Sequence, residues 1–439
     1  MKTTKRISAL TFAIIAFAIT MATVSCQSKK DKKLELSNDS AFVFTTPKVI
    51  NIGDYLDSHF EYGRSSIQIT DTTGILSLSD IAEDVEYVLL KTKNDKQEVF
   101  IGTNVKDIFI CKDYIFVQMN DNIIQYDRQG NLIRTIGRKG GGPGEYNWVY
   151  NMSVDDKTKK IIINTSGKIN EYDFDGKFIR SQKNTYDNQL MLIDSNRIAV
   201  EVKNLWHDVE ERLVILNRKG EVEKSFPRYK LFEHVDHTET EGNIYGLSKF
   251  HDMICFKEEY NDTIFELKGD TLQMRYFIDW GKCAMKPEYY FEKKKYGDKM
   301  GNCFWTGRFH ETNRYLLIVS NKLGLTLVYD KKMDQINVGY PPISNYNQCN
   351  PYQDIFKNSA DGFNNDIDGG MVQNIDGISL DCQYIFSYYH ATDVKDFFEE
   401  VGYDAHPINP DKQAKLKALV DTIDEDKHNL FIMISKLKE

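Results

Sequence analysis

The chain has 439 residues, with 56 Lys and Arg against 65 Asp and Glu, and a formal net charge of −9 at pH 7. That acidic balance argues against a nucleic-acid binder, which must neutralise phosphate. Its 25 Tyr and 25 Phe suit strands, which favour aromatic side chains, and could also line the mouth of a ligand site.

The first residues read as an export signal. Lys2, Lys5 and Arg6 form a basic head, and an uncharged apolar run extends from Ile7 to Val24. The following Ser25-Cys26 resembles the lipobox of bacterial lipoproteins, in which the thiol is acylated and becomes the first residue of the mature protein; Thr23 departs from the Leu usual there. Cys26 is thus the expected lipidation site. Loss of Lys2, Lys5 and Arg6 with the signal takes the net charge from −9 to −12. The stretch Gln27–Lys33 is basic, whereas surface-exported lipoproteins of some Gram-negative groups carry an acidic run at that point. The expectation is therefore the cell envelope, at the outer membrane and facing the periplasm. Surface exposure stays open, and the membrane is touched by the lipid anchor alone. Residues 27–40 are highly charged and nearly devoid of apolar groups, as a disordered tether is.

Six cysteines remain after Cys26, namely Cys111, Cys255, Cys283, Cys303, Cys349 and Cys382, and none stands in a CxxC or other metal spacing. Cys111 and Cys255 sit inside apolar strand patterns and are expected as buried thiols.

From residue 105 onward one unit recurs. A β-rich run is followed by a turn, a second run, a third ending in Tyr-Asp or similar, a Gly turn, and a final run. Its clearest copy is Val105–Ile110, Tyr114–Gln118, Ile123–Asp127, the turn at Gly130, and Leu132–Ile136. The next runs through Trp148–Val154, Lys160–Asn164, Ile169–Asp173, the turn at Gly176, and Phe178–Ser181. Looser copies follow at Arg197–Asn217 with Gly220, Met253–Leu267 with Gly269, and Tyr315–Asp330. A sixth opens at Tyr384–Tyr389. Runs of Ile, Val, Tyr and Phe bounded by Asx-Gly turns are strand and hairpin signals, and repetition on this scale indicates blades around a ring. The last unit lacks strands. A helix is predicted at Asp411–Ile423, a strand at Asn429–Leu437, and the unassigned Val85–Leu90 is the candidate fourth strand. The predicted fold is an all-β, six-bladed β-propeller of four antiparallel strands per blade. Its ring is closed by N- and C-terminal strands in one sheet, with a short helical insertion near the C-terminus. The expected domains are a signal peptide at 1–25, a tether and N-terminal segment at 26–74, and the propeller at 75–439.

The segment Ile136–Tyr146, with its Gly140-Gly141-Gly142-Pro143-Gly144, resembles a family of six-bladed propeller lipoproteins of Gram-negative gut anaerobes, related to TolB-like and NHL-like propellers. So do Leu78–Tyr87, Asn365–Gly370 and Asn429–Lys438. The resemblance spans roughly residues 75–439. It implies the same fold and no particular reaction, and a propeller by itself never specifies function.

Motifs for chemistry are sparse. Gly140–Tyr146 lacks the Lys-Ser/Thr and the following helix of a nucleotide loop, and reads as a tight crossover between blades one and two. Asn364, Asp366, Asp368 and Gly369 imitate the start of a calcium loop, but Ile375 stands where an EF-hand needs Glu. A looser divalent-cation site is the only cofactor left open, and no other is expected. His234, Asp236 and His237 read as loop residues. His207, His251, His310 and His390 are scattered and make no triad.

Loop lengths carry more information. In four-stranded blades the second-to-third turns and the crossovers between blades open on one face of the ring. The long connections 138–147, 227–242, 279–301, 339–370 and 391–428 all belong to that face, and the third-to-fourth turns of the other face are short. Long loops on a rigid scaffold are where binding resides. Candidate contact residues there are Arg138, Glu145, Tyr146, Tyr289, Tyr290, Tyr346, Tyr352, Asp361, Asp366 and Asp368. The expected function is a binding or assembly module for a glycan, a peptide or an envelope protein, without catalytic residues. The alternative is a hydrolase or lyase with a cation-assisted site at the channel mouth.

Overall fold

The computed structural model describes residues 42–43, 45–62, 67–69, 73–102, 105–186, 188–204, 209–228, 246–258, 260–296, 303–304, 306–320, 326–339, 362–424 and 426–439. Six antiparallel sheets of at least four strands follow one another along the chain as the blades of a six-bladed β-propeller. Blade one is Val105–Ile110, Tyr114–Met119, Ile123–Asp127 and Leu132–Thr135, and blade two is Asn151–Asp155, Lys160–Thr165, Lys168–Asp173 and Phe178–Lys183. Both match the expected repeats closely.

In blades three to six the structure adds first strands that the repeat pattern did not reveal: Leu190–Leu192, Leu247–Phe250, Thr306–Glu311 and Gly377–Ile378. These are short or interrupted by polar residues, so they lack the alternation that marks a half-buried strand. First strands of neighbouring blades pack beside one another around the axis. Cores between the blades are apolar, as in the cluster of Val88, Leu90, Ile108, Ile115, Ile432 and Ile434 between blades six and one.

The ring closes as the orphan strands implied. Blade six is ordered Gly377–Ile378, Tyr384–His390, His428–Leu437, Ala82–Lys91, so the first and last strands of the propeller lie side by side. Residues upstream of the closing strand also join the rim. Lys48–Asn51 pairs in parallel with the outer strand Thr271–Asp279 of blade four, and Ile75–Leu76 pairs with Gln335–Gly339 of blade five. Residues 1–41, with Cys26 and the expected tether, lie outside the described residues.

The third-to-fourth turns of blades one to three share one design. Gly130, Gly176 and Gly220 each have φ near +80°, and their amides return to the carbonyls of Asp127, Asp173 and Asn217 at 3.0–3.1 Å. Only Gly fits at two of them for a second reason. A Cβ on Gly130 would stand 2.3 Å from the Leu89 carbonyl oxygen, and one on Gly220 would stand 2.2 Å from that of Lys183. These turns therefore tuck against the outer strand of the preceding blade, which leaves that face of the ring compact.

The insertion in blade six holds two helices, Ala391–Glu400 and Pro410–Val420. The second begins at Pro410 because Asn409 caps it, its side-chain oxygen accepting from the Lys412 amide at 3.0 Å, and Pro is tolerated in the first turn. Ala391, Val394, Phe398, Leu416 and Val420 pack with Leu89, Met371 and Phe431 against the sheet of blade six. No helix among the described residues is long and apolar enough to cross a membrane.

Candidate functional site at the channel mouth

One end of the central channel is closed. The first-to-second turn of blade six, around Leu380 and Cys382, reaches blade one through the Leu380 amide on the Ile110 carbonyl (3.0 Å) and blade four through the Cys382 thiol on the Lys249 carbonyl (3.9 Å). Blades one and four stand opposite each other in a six-membered ring, so this turn crosses the axis. Cys382 is buried, and at φ +62° it holds a left-handed conformation that a β-carbon disfavours. The face of the long connections is the other end of the channel.

The candidate residues divide sharply there. Arg138 and Glu145 pair with each other at 2.6 Å across a short parallel bridge, and the Glu145 carboxylate also accepts from the Gly142 amide. The Tyr146 ring is buried, its hydroxyl donating to the Ile136 carbonyl. The Gly-rich loop is thus a self-braced crossover. Asp366 accepts from the Ser79 amide and hydroxyl at 2.9 and 2.6 Å, which fixes the short helix Leu78–Ile81. Asp368 is buried and accepts from the Tyr87 hydroxyl, the Asn365 amide group and the Gly370 backbone. Burial and the Asp368 charge push the Tyr87 phenol well above its usual range. The segment 364–370 is accordingly a clasp on the outer strand of blade six.

Tyr289 lies on the helix Pro287–Phe291 in the crossover from blade four to blade five, its ring 5.4 Å from that of Tyr296. The side chain of Tyr290 lies outside the described residues, as do Tyr346, Tyr352, Asp361, Cys349, His207, His234, Asp236 and His237. Among the described residues no group of three or more His, Cys, Asp and Glu is placed to hold a metal ion.

The structure brings together a set that the sequence did not point to. Asp107 sits near the start of the innermost strand of blade one, Arg308 near the start of that of blade five, and Asp376 just before that of blade six. These are consecutive blades, and all three positions lie toward the face of the long connections. Each carboxylate is deep within the protein yet keeps part of its surface open, as a channel wall allows. Asp107 accepts from the Ile108 amide at 2.9 Å and Asp376 from the Tyr388 amide at 3.0 Å. Burial is the main cause that raises Asp107 to about 7 and Asp376 to about 6; Arg308 acts on both in the opposite direction, and Asp376 adds repulsion at Asp107. His310, two residues along from Arg308, is held neutral, its pKa lowered to about 4 by burial and by that guanidinium. Carboxyl groups moved into the neutral range in a concave site are functional candidates.

Beside Asp107 the same strand contributes to a cationic and aromatic group. Lys106 stands over the Trp148 ring at 5.4 Å from its centroid, and Trp148 keeps 42% of its surface exposed. Burial, and then the charge of Lys203, lower the pKa of Lys106. Trp148 belongs to the crossover from blade one to blade two, and Lys203 to the second-to-third turn of blade three. Both therefore stand on the face of the long connections. The one signal available beforehand was charge placed within otherwise apolar innermost strands, as in Val105-Lys106-Asp107-Ile108.

A raised folded pKa makes a definite prediction. The folded protein holds the Asp107 proton more tightly than the unfolded chain does, so stability falls as pH rises from about 4 through about 7. Asp107→Asn should therefore stabilise the protein at pH 8 by on the order of 2–4 kcal/mol and change little at pH 4. Denaturant unfolding at the two pH values checks this. Equal effects at both would deny the carboxylate its buried setting.

Comparison with known proteins agrees with the fold. A protein of Bacteroides fragilis described as exported superposes with a TM-score of 0.57 at 15% identity, over 82% of this chain and 98% of its own. A member of the DUF4221 family from Bacteroides vulgatus gives 0.41 at 13% identity, over 81% and 97%. The extracellular domain of a one-component system from B. thetaiotaomicron gives 0.31 at 13% identity, over 62% and 34%. No curated protein matches the sequence. A family model, that of the domain of unknown function DUF4934, matches residues 65–436, and the chain belongs to that family.

Proposed function

We propose that this protein is an exported binding module, lipid-anchored through Cys26 in the cell envelope, whose ligand enters the central channel from the long-connection face. The observation that carries this reading is the asymmetry of the channel. One mouth is crossed by the Leu380–Cys382 turn, and the other carries Asp107 and the Lys106–Trp148 pair. Ligand sites are concave and mostly preformed, with a few convergent polar groups. The export signal and the exported Bacteroides fragilis relative support the compartment. Kinship with TolB-like and NHL-like propellers fits the same architecture.

The test is a parallel screen of glycan and peptide arrays with three forms of the protein. The double variant Lys106→Ala, Trp148→Ala should lose at least tenfold in affinity for whatever the parent binds. Changes at Lys177 and Lys219, in the short turns of the opposite face, should leave it unaltered, since surface substitutions away from a site rarely cost much. Loss of binding in the short-turn form, with retention in the mouth form, would reverse the assignment of the face.

A further inference from the structure

Where the ring closes, its outer rim carries a half-open cleft of about 450 Å³. The walls are the outer strand of blade six, Ala82–Lys91, the third-to-fourth turn of blade one, and the end of the helix Pro410–Val420. Volumes of this size are typical of small-ligand sites.

Strand alternation decides which side chains meet there. Val88 and Leu90 point into the apolar core toward blade one, and Glu86, on their side, reaches Arg128 at 2.8 Å. Leu89 points the other way, into the cluster under the helices, so Lys91, two residues on, stands on the helix side as well. His428 is the register partner of Lys91 and shares its face. The next pair is Phe431 with Leu89, so three steps on one strand match two on the other. A bulge of this kind re-aims the side chain beside it. Leu419 and Thr422, at the helix end, complete this wall.

The free polar groups of the wall are donors. Nδ1 of His428 accepts from the Asp424 amide at 3.1 Å, which places the ring proton on Nε2. The Lys91 ammonium gives one bond, to Oδ1 of Asn131 at 2.7 Å, and pairs with no carboxylate among the described residues. Carboxylates in the neighbourhood are engaged elsewhere. Glu86 holds Arg128, Asp127 accepts from the Gln129 and Asn131 amides, and Asp424 pairs with Lys427. The Thr422 hydroxyl is spent on the Leu419 carbonyl at 2.6 Å. One cation and one neutral N–H, set beside the half-buried Leu419, match the two oxygens and single charge of a carboxylate on an apolar body. A phosphate dianion would bring more charge than Lys91 balances and has no apolar part to set against Leu419.

We propose that this cleft is a second binding site, separate from the channel, for a small organic carboxylate. Lys91 and the His428 Nε2–H hold the carboxylate, and Leu419 receives the apolar body. A ligand so placed touches the N-terminal closing strand, the C-terminal strand and the helical insertion together, so its binding stabilises the closed ring.

The probes are hexanoate, its uncharged isostere hexanamide, and inorganic phosphate as competitor, measured on the purified protein by saturation-transfer NMR. Hexanoate should bind at least about tenfold more tightly than hexanamide, the worth of one charge-assisted hydrogen bond, and should raise the melting temperature. Lys91→Met keeps the aliphatic stem and removes the charge. It should erase the preference while melting, without ligand, at the parental temperature, and Lys91→Arg should restore the preference. Equal binding of hexanoate and hexanamide, a preference that survives in Lys91→Met, or displacement of hexanoate by equimolar phosphate would each overturn the inference. The variant Lys106→Ala, Trp148→Ala should bind hexanoate as the parent does. Loss of hexanoate binding there would place the carboxylate at the channel mouth, and the rim site would fall.

Discussion

Deletion of residues 429–439 is expected to abolish the cooperative fold. The strand His428–Leu437 is the third of blade six, paired along its length with Tyr384–His390 on one side and with Ala82–Lys91 on the other. Leu430, Phe431, Ile432, Met433 and Ile434 are all fully buried within it. At roughly 1.5–3 kcal/mol for each such side chain, these five alone contribute on the order of 8–15 kcal/mol. That equals the whole net stability of an ordinary domain, about 5–15 kcal/mol. Without this strand the N-terminal strand has nothing to pair with, and two sheet edges are left exposed to other chains. Thermal unfolding followed by circular dichroism should show a broad or absent transition, with aggregation on concentration. A sharp transition at the parental temperature would mean that the ring does not close through this strand.

The same strand shows why the architecture was legible in the sequence. Asn429–Leu437 and Val85–Leu90 are apolar runs without partners in their own neighbourhoods, and a closed ring gives each the other. Blades one and two were readable because every strand in them alternates or is continuously apolar and ends at a Gly that the turn requires. The innermost strands of blades three to six escaped because Leu190–Leu192 and Gly377–Ile378 are only three and two residues long, and Thr306-Gly307-Arg308-Phe309-His310-Glu311 is mostly polar.

The site was less legible, for a geometric reason. Loop length pointed to the face of the long connections, yet length alone does not separate loops that would meet a ligand from loops that brace the fold. Asp366 and Asp368 look like free carboxylates in sequence, but they clasp Ser79 and Tyr87. Asp107, Arg308 and Asp376 come from three separate blades, and only the radial arrangement brings them to one axis. Nothing local to any of them announces the others.

A polar residue on an innermost strand can also serve stability alone, and Glu311 is expected to show how strongly. It ends the innermost strand of blade five and is almost wholly buried. Arg275 donates from Nε and Nη2 to its two oxygens at 2.9 and 2.7 Å, and the Tyr276 hydroxyl and the Lys331 ammonium add bonds of 2.9 and 3.0 Å. Arg275 also holds Glu266 at 2.7 Å, so the network stitches blade four to blade five. Burial opposes the Glu311 charge, but the Arg275 hydrogen bonds and the Lys331 charge prevail and hold its pKa below the usual carboxylate value. Glu311→Gln keeps the shape and removes the charge, which leaves Arg275 and Lys331 with one anion between them. Breaking a buried pair from one side commonly costs about 3–5 kcal/mol, and since both cations here are partly exposed, about 2–4 kcal/mol is expected. A group with a lowered folded pKa contributes its stability above its ordinary value, 4.5 for this Glu, and loses it as pH falls through the folded one. The difference in melting temperature between parent and variant should therefore be large at pH 7 and shrink steadily below pH 4.5. A difference that stays constant down to pH 3 would assign the cost to packing rather than to charge.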